Sequence, residues 1–280
     1  MTPAQVSSPL AFIGGGNMAR SLIGGLLRGG APAASIGVAE PNVDLRTALA
    51  RDFAVAVHAD NDVAAASANV LVLAVKPQVM KAVCEGLRAA AQARQPLIIS
   101  IAAGIRIEQL DAWLGGGLPI VRAMPNTPAL IGAGATGAFA NARVDDAQRD
   151  LAESILGAAG SLAWVGDESL MDTVTAISGS GPAYFFLLVE ALEEAAVAQG
   201  MSRDTARELA AQTCLGAGRM LREDGSAPAE LRRRVTSPNG TTQAALESFA
   251  ASDFAAIVAR AVAAATRRGG ELSAQFDAHG

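Results

Sequence analysis

Short apolar runs alternate with amphipathic stretches through the first 165 or so residues, and after Ser169 that alternation stops. The runs at residues 10–14, 36–39, 54–57, 70–75, 96–101, 120–123 and 162–165 read as strands, and residues 134–140 offer a further strand at an edge. Between them apolar positions recur at helical spacing, as Leu22, Ile23, Leu26 and Leu27 do before Gly29-Gly30 ends the first helix. This alternation predicts a parallel sheet wrapped by helices. Beyond Ser169 the pattern is helical throughout. Ser180-Gly181-Pro182 opens a helix that Gly200 closes, Ser202 opens one reaching Arg222, Pro228 starts a short one, and Thr241 and Ser252 start two more.

The first strand runs directly into Gly14-Gly15-Gly16-Asn17-Met18-Ala19, a G-x-G-x-x-A pattern. Gly14 allows a tight turn out of the strand, Gly16 lets the backbone approach a pyrophosphate, and Ala19 lets the helix lie close on the sheet. The unpaired N–H groups at the helix start favour an anion there. Glu40 closes the second strand roughly twenty residues beyond the glycines, where a carboxylate can accept from a ribose hydroxyl. The expectation is an α/β Rossmann-type N-terminal domain, residues 1–166, followed by an all-α C-terminal dimerisation domain, residues 167–280. Dimerisation is expected because the helix over residues 183–199 is apolar on nearly every face of its first two turns. A helical domain this small cannot bury it alone, so helices of two subunits pack together; the alternative is a core helix in a monomer.

At 280 residues the chain accommodates one large or two ordinary domains, and 51% hydrophobic with 18% charged residues is a globular composition. A net charge of −5 leaves no basic footprint for nucleic acid. Cys84 and Cys214 lie in apolar helical stretches and read as buried thiols of a reducing cytosol, with no metal-ligand pattern around them. The first ten residues lack the basic start and apolar core of a signal peptide. The apolar run 182–189 is followed by Glu190, Glu193 and Glu194 and is too short to span a bilayer. A cytoplasmic protein acting on a small molecule is expected.

Candidate proton-transfer groups are few. The histidines are His58, just after a predicted strand, and His279; the lysines are Lys76 and Lys81. The helical half therefore contains no lysine and, with His279 at its very end, no placed histidine, and hydroxy-acid dehydrogenation usually needs one of these as proton-transfer group. An imine suits such a site, because its nitrogen takes a proton near neutral pH and the iminium already accepts hydride. Three loops stand out. Val75-Lys76-Pro77-Gln78 follows a strand at the sheet's ligand-binding edge, where Lys76 can meet a phosphate or ribose or simply be solvated. Met124-Pro125-Asn126-Thr127-Pro128 reads as a rigid, extended wall. Thr236-Ser237-Pro238-Asn239-Gly240-Thr241-Thr242 opens a helix with converging hydroxyls and N–H groups, which can hold a carboxylate without arginine. Arg232-Arg233-Arg234 just before it reads as a solvated helix face.

With these segments in place the chain resembles the pyrroline-5-carboxylate reductases. The resemblance rests on Phe12-Ile13-Gly14-Gly15-Gly16-Asn17-Met18-Ala19, Ala74-Val75-Lys76-Pro77, Ser100-Ile101-Ala102-Ala103-Gly104, Arg122-Ala123-Met124-Pro125-Asn126-Thr127-Pro128, Ile177-Ser178-Gly179-Ser180-Gly181-Pro182-Ala183-Tyr184 and Ser237-Pro238-Asn239-Gly240-Thr241-Thr242. It implies hydride transfer from NADPH or NADH to the imine carbon of 1-pyrroline-5-carboxylate, giving proline. It also implies a homodimer of interlocked C-terminal helices, often assembled into a ring of dimers. By position, Ser237, Thr241 and Thr242 with the Asn239-Gly240 backbone would hold the substrate carboxylate. Thr175 would bond the ring nitrogen, as a proton relay or an orienting group, unless it only stabilises the turn into the long helix. Asn61 would lie near the adenosine ribose, and Ala74, Val75, Lys76 and Pro77 with Ala102 and Ala103 would line the cofactor.

Two positions depart from the family pattern. Glu40-Pro41-Asn42 stands where many members carry small hydroxyl or basic residues that accept a 2′-phosphate. A carboxylate repels that phosphate and suits a free ribose diol, so NADH is expected to serve well, with Arg46 offering a route to NADPH. Asn239 replaces a second glycine, and asparagine tolerates the positive φ such a turn requires. Two alternatives stay open: a reductase of the same plan acting on a 3-hydroxy acid or another cyclic imine, and a nucleotide-sensing protein without catalysis.

Overall fold

A computed structural model describes residues 8–277, so His279 lies outside the described residues. Contacts divide it into two compact units, the described parts of Met1–Ser180 with Ala265–Gly280, and Gly181–Ala264.

The first unit opens with β1 (Leu10–Ile13), α1 (Asn17–Arg28), β2 (Ile36–Ala39), α2 (Val43–Phe53), β3 (Ala56–His58) and α3 (Asn61–Ala65). It continues through β4 (Val70–Leu73), α4 (Pro77–Arg94), β5 (Leu97–Ser100), α5 (Ile107–Leu114), β6 (Ile120–Met124) and β7 (Gly134–Ala140). It closes with α6 (Asp146–Gly157), β8 (Gly160–Trp164) and the short α7 (Met171–Val174). The eight strands form one sheet in the order β3-β2-β1-β4-β5-β6-β7-β8. From β1 the chain first builds outward through β2 and β3, then crosses to β4 on the other side, so the order reverses between β1 and β4. Side chains alternate across the sheet. Leu10 and Phe12 of β1 pack with Leu22, Ile23 and Leu26 of α1 in one core, while Ala11 and Ile13 pack with Met80, Cys84 and Leu87 of α4 in another.

Several expectations shift. The third strand begins at Ala56 and not Ala54, because Ala54 takes left-handed backbone (φ 54°) to cap α2, donating its N–H to the Ala50 carbonyl. Residues 134–140 form β7, yet not at an edge: β7 runs antiparallel to β6 and parallel to β8, which lies outside it. The sheet is therefore mixed. Thr127–Ile131 is a 3₁₀ turn, so only the start of the Met124–Pro128 segment is extended; after the two prolines fix their own φ, Gly132 N–H bonds the Ala129 carbonyl. Cys84 is buried, but Cys214 is only half-buried.

The second unit contains α8 (Gly181–Ala198), α9 (Arg203–Glu223), α10 (Pro228–Arg234), α11 (Thr241–Ala251) and the start of α12 (Phe254–Asp277), whose end belongs to the first unit. Ser202 caps α9, accepting from the Thr205 N–H. Helices α8 and α9 are tied by Glu193, which accepts from Arg203 and Arg207. Those guanidiniums, Arg207 foremost, hold the Glu193 carboxyl below the usual range. Helix α8 opens at Gly181 after a bend at Ser180, as expected, but a π turn at Thr175–Gly179 precedes it, so that successive helical turns run from Glu168 to Ala198. By length and composition this run could cross a membrane. Its apolar side chains lie bare in the single chain, Phe186 being 68% exposed.

In the first unit, α1 lies so close that a Cβ on Gly25 would collide with the Ala158 carbonyl, whereas one on Gly86 in α4 meets nothing within 4 Å. Gly25→Ala should cost about 1–3 kcal/mol. Gly86→Ala should gain up to about 1 kcal/mol from helix propensity alone. Urea unfolding of both variants at one protein concentration checks the opposite signs.

Candidate functional site

Ligands of open α/β sheets bind outside the carboxyl ends of the strands where the order reverses. Here that is the gap between β1 and β4. The Gly14 N–H reaches the Ala39 carbonyl and the Ala74 N–H reaches the Ile13 carbonyl, each at 2.8 Å. Gly14 has φ 102°, and a Cβ there would stand 2.8 Å from the Ala74 oxygen, so only glycine fits. Gly16 is the N-cap of α1 and brings no capping side chain, which leaves the first-turn N–H groups of Asn17, Met18 and Ala19 without one. A Cβ on Gly16 would project into open space. Bare donors beside open space fit a pyrophosphate.

The other cofactor candidates gather at the same carboxyl edge. Ala74, Val75 and the exposed Lys76 follow β4, and Pro77 starts α4 with Lys76 as its N-cap. Asn61 starts α3 after β3, while Ala102 and Ala103 follow β5, with the Ala102 N–H directed at the Ser100 hydroxyl (3.4 Å). Glu40 sits at the end of β2 but faces inward. It is 8% exposed, and its two oxygens accept from the Gly15 N–H (2.9 Å) and the Asn42 N–H (3.0 Å). Arg46 folds back from α2, its Nη1 donating at 2.7 Å to the carbonyls of both Glu40 and Pro41.

Thr175 opens the π turn, where the Ser180 N–H skips back five residues to the Thr175 carbonyl (2.8 Å). Its hydroxyl donates to the Met171 carbonyl at 2.9 Å. Asn126 clamps this turn, and the sequence offered only its place between two prolines as a hint. Buried to 8% exposure, it donates to the Ser178 carbonyl (2.9 Å) and accepts from the Ala135 N–H (2.8 Å), joining the turn to β7. Gly137 and Gly179 permit the close fit, since a Cβ would collide with Val174 at the first and stand 2.7 Å from the Met124 methyl at the second. Burial pushes the Cys84 thiol up to about 12, so no thiolate is available there at neutral pH.

In the second unit Ser237-Pro238-Asn239-Gly240 forms a turn, closed by the Gly240 N–H on the Ser237 carbonyl (3.0 Å), that leads into Thr241 and Thr242 at the start of α11. Asn239 takes φ 58°, as the turn demands. Gly240 is the N-cap and supplies no capping side chain. The turn is exposed to half-buried in the single chain. Of the preceding arginines, Arg233 and Arg234 are held by Glu230, with Asp224 also on Arg234.

A dinucleotide cradle at the reversal of strand order, joined in one chain to a helical unit, defines a nicotinamide-dependent oxidoreductase. Residues 9–104 match the family described as NADP oxidoreductase, coenzyme F420-dependent, and residues 168–272 match pyrroline-5-carboxylate reductase dimerisation. The pyrroline-5-carboxylate reductase of Pseudomonas aeruginosa is 53% identical over 97% of this chain and 99% of its own. The chain belongs to the pyrroline-5-carboxylate reductase family. A pyrroline-5-carboxylate reductase structure from Coxiella burnetii shares 43% identity at a TM-score of 0.93, covering 95% of this chain and 98% of that one. One from Plasmodium falciparum, solved with NADP bound, shares 28% identity at a TM-score of 0.81 over 95% and 98% of the two chains.

Because Glu40 holds two N–H groups of the cradle, Glu40→Gln would turn an amide donor toward one of them. Binding of NADH and NADPH should weaken alike, by about tenfold. A direct ribose ligand would instead penalise NADH selectively, and calorimetric titration with both dinucleotides separates the outcomes.

Proposed function

We propose that this protein reduces 1-pyrroline-5-carboxylate to L-proline with NADPH or NADH, the final step of proline biosynthesis. Family identity along nearly the whole chain carries the reading, and the cradle at the sheet's switch point supports it. In this reading residues 1–166 hold the dinucleotide, while residues 167–280 bind substrate and pair with a second copy. The bare Phe185, Phe186 and Leu187 of α8 support a homodimer, which we extend to a ring of such dimers in the cytoplasm.

Bound at the cradle, the dinucleotide supplies hydride to the imine carbon. The first-turn N–H groups of Asn17, Met18 and Ala19 hold its pyrophosphate, with Gly14 and Gly16 leaving room. Ala74, Val75, Lys76 and Pro77 line it together with Ala102 and Ala103, and Asn61 meets the adenosine ribose. Ser237, Thr241 and Thr242 with the Asn239-Gly240 backbone hold the substrate carboxylate at the uncapped start of α11, where N–H groups replace a cationic side chain.

The Thr175 hydroxyl proton is committed to the Met171 carbonyl. What remain are its two lone pairs, which can accept from an iminium N–H but cannot protonate an imine. Thr175 therefore orients a ring nitrogen that arrives protonated. Glu40, each of whose oxygens already accepts one backbone N–H, shapes the cradle and keeps lone pairs that can accept from a ribose hydroxyl. Arg46 keeps further guanidinium donors beyond the one on the two carbonyls, which supports acceptance of a 2′-phosphate.

Oxidation of NADH and NADPH by 1-pyrroline-5-carboxylate, followed at the nicotinamide absorbance, tests the activity; no oxidation above background with either overturns it. Thr175→Ala should lower kcat by about tenfold while the KM for dinucleotide holds. Arg46→Ala should lower kcat/KM about tenfold for NADPH and far less for NADH.

A further inference from the structure

Helix α11 starts with half of a capping box. In a complete box the N-cap side chain accepts from the backbone N–H at the third helical position, and the side chain at that position accepts from the backbone at the N-cap. The third position here is Gln243. Its Oε1 accepts from the Asn239 N–H at 2.8 Å, one residue before the usual partner. Its Nε2 donates to Glu247 Oε1 at 2.7 Å. The reciprocal half is missing, because the N-cap is Gly240 and no side chain caps the first turn.

Glu247 settles which way the Gln243 amide points. An ionised carboxylate only accepts, so it selects the NH₂ end of Gln243 and turns Oε1 toward Asn239. That bond falls on the residue held at φ 58°, a conformation disfavoured for side chains other than glycine and tolerated by asparagine. Glu247, Gln243 and Asn239 thus form a continuous brace behind the turn. With it in place, the N–H groups of Thr241 and Thr242 and the Gln243 backbone N–H have no capping side chain in front of them.

We propose that Gln243 is a positioning residue, the protein's half of a capping box that the substrate carboxylate completes. It holds Asn239 in place, and through it the orientation of the Thr241 and Thr242 hydroxyls and first-turn N–H groups. This rests on the reading of the Ser237-to-Thr242 turn as the carboxylate site.

Steady-state kinetics of the full-length enzyme with 1-pyrroline-5-carboxylate and NADPH test it. Gln243→Met keeps the length of the side chain and removes both bonds; the KM for 1-pyrroline-5-carboxylate should rise about five- to tenfold. kcat and the KM for NADPH should stay at wild-type values. Glu247→Gln preserves an acceptor for Nε2 and should raise the substrate KM less than Glu247→Ala does. Thr242→Val provides the reference for the site itself. A raised substrate KM in Thr242→Val with none in Gln243→Met overturns the role of Gln243 alone. No change in either overturns the carboxylate site and the proposal with it. A parallel loss of kcat and NADPH affinity in Gln243→Met marks a general structural role and also overturns it.

Discussion

The nucleotide half of this molecule depends on one close approach of backbones, where β1 ends between β2 and β4. Two hydrogen bonds, Gly14 N–H to the Ala39 carbonyl and Ala74 N–H to the Ile13 carbonyl, hold three strand ends level. The chain can turn away from that point only because Gly14 lacks a Cβ that the Ala74 oxygen would obstruct. Once it turns, α1 must start with its N–H groups facing the crevice, and the segments after β2, β3, β4 and β5 end along the same edge. Gly15 shows how tightly the turn is built: its N–H is held by Glu40, and a Cβ there would meet the Glu40 and Leu49 side chains. The acid at the end of β2 is thus part of the cradle's wall.

A second constraint governs the stretch from β6 to the π turn. A π turn widens a helix by one residue and leaves its backbone in a sparsely used arrangement that surrounding packing must hold. Asn126 supplies that hold from one side, with the bare faces of Gly137 and Gly179 admitting Val174 and Met124 from the other. Arg122 of β6 and Glu168 add an ion pair at 3.0 Å, and Glu168 also accepts from the Ile107 N–H. Thr175 therefore projects from a segment fastened at both ends, as suits an orienting group. Gly269 of α12 lies against Asp172, bringing the chain's last helix onto the same segment.

The strand–glycine–helix opening was legible because each of its determinants is local: an apolar run, a turn that only glycine allows, and helical spacing after it. The cap at Ser202 and the helix starts at Pro228 and Thr241 were legible for the same reason. What escaped was set by distant partners. Nothing within residues 134–140 tells that Gly160 will bring β8 to its outer side, so the strand looked like an edge. The π turn escaped because Ser180-Gly181-Pro182 carries every mark of a helix start, with Pro182 in the first turn of α8, and nothing in that start tells that helical turns precede it. Glu40 had the right residue type at the right distance, but its direction depends on Gly15 and Asn42, two donors that only the folded turn brings to it. Gln243 had no signal of its own, since its meaning lies in Gly240 being bare.

The lack of lysine in the helical half, with His279 its one histidine, then acquires a physical sense. A strong base near an iminium nitrogen would compete for the proton that makes the ring an electrophile, and a buried cation would repel it. A hydroxyl whose O–H already donates a hydrogen bond to the Met171 carbonyl does neither. Backbone N–H groups at a helix start likewise hold a carboxylate without any titration of their own. On the proposed roles no side chain touching the reacting ring needs to change charge during the reaction. The pH dependence of the chemical step then falls on the substrate nitrogen, and on those roles the protein's task reduces to binding and orienting.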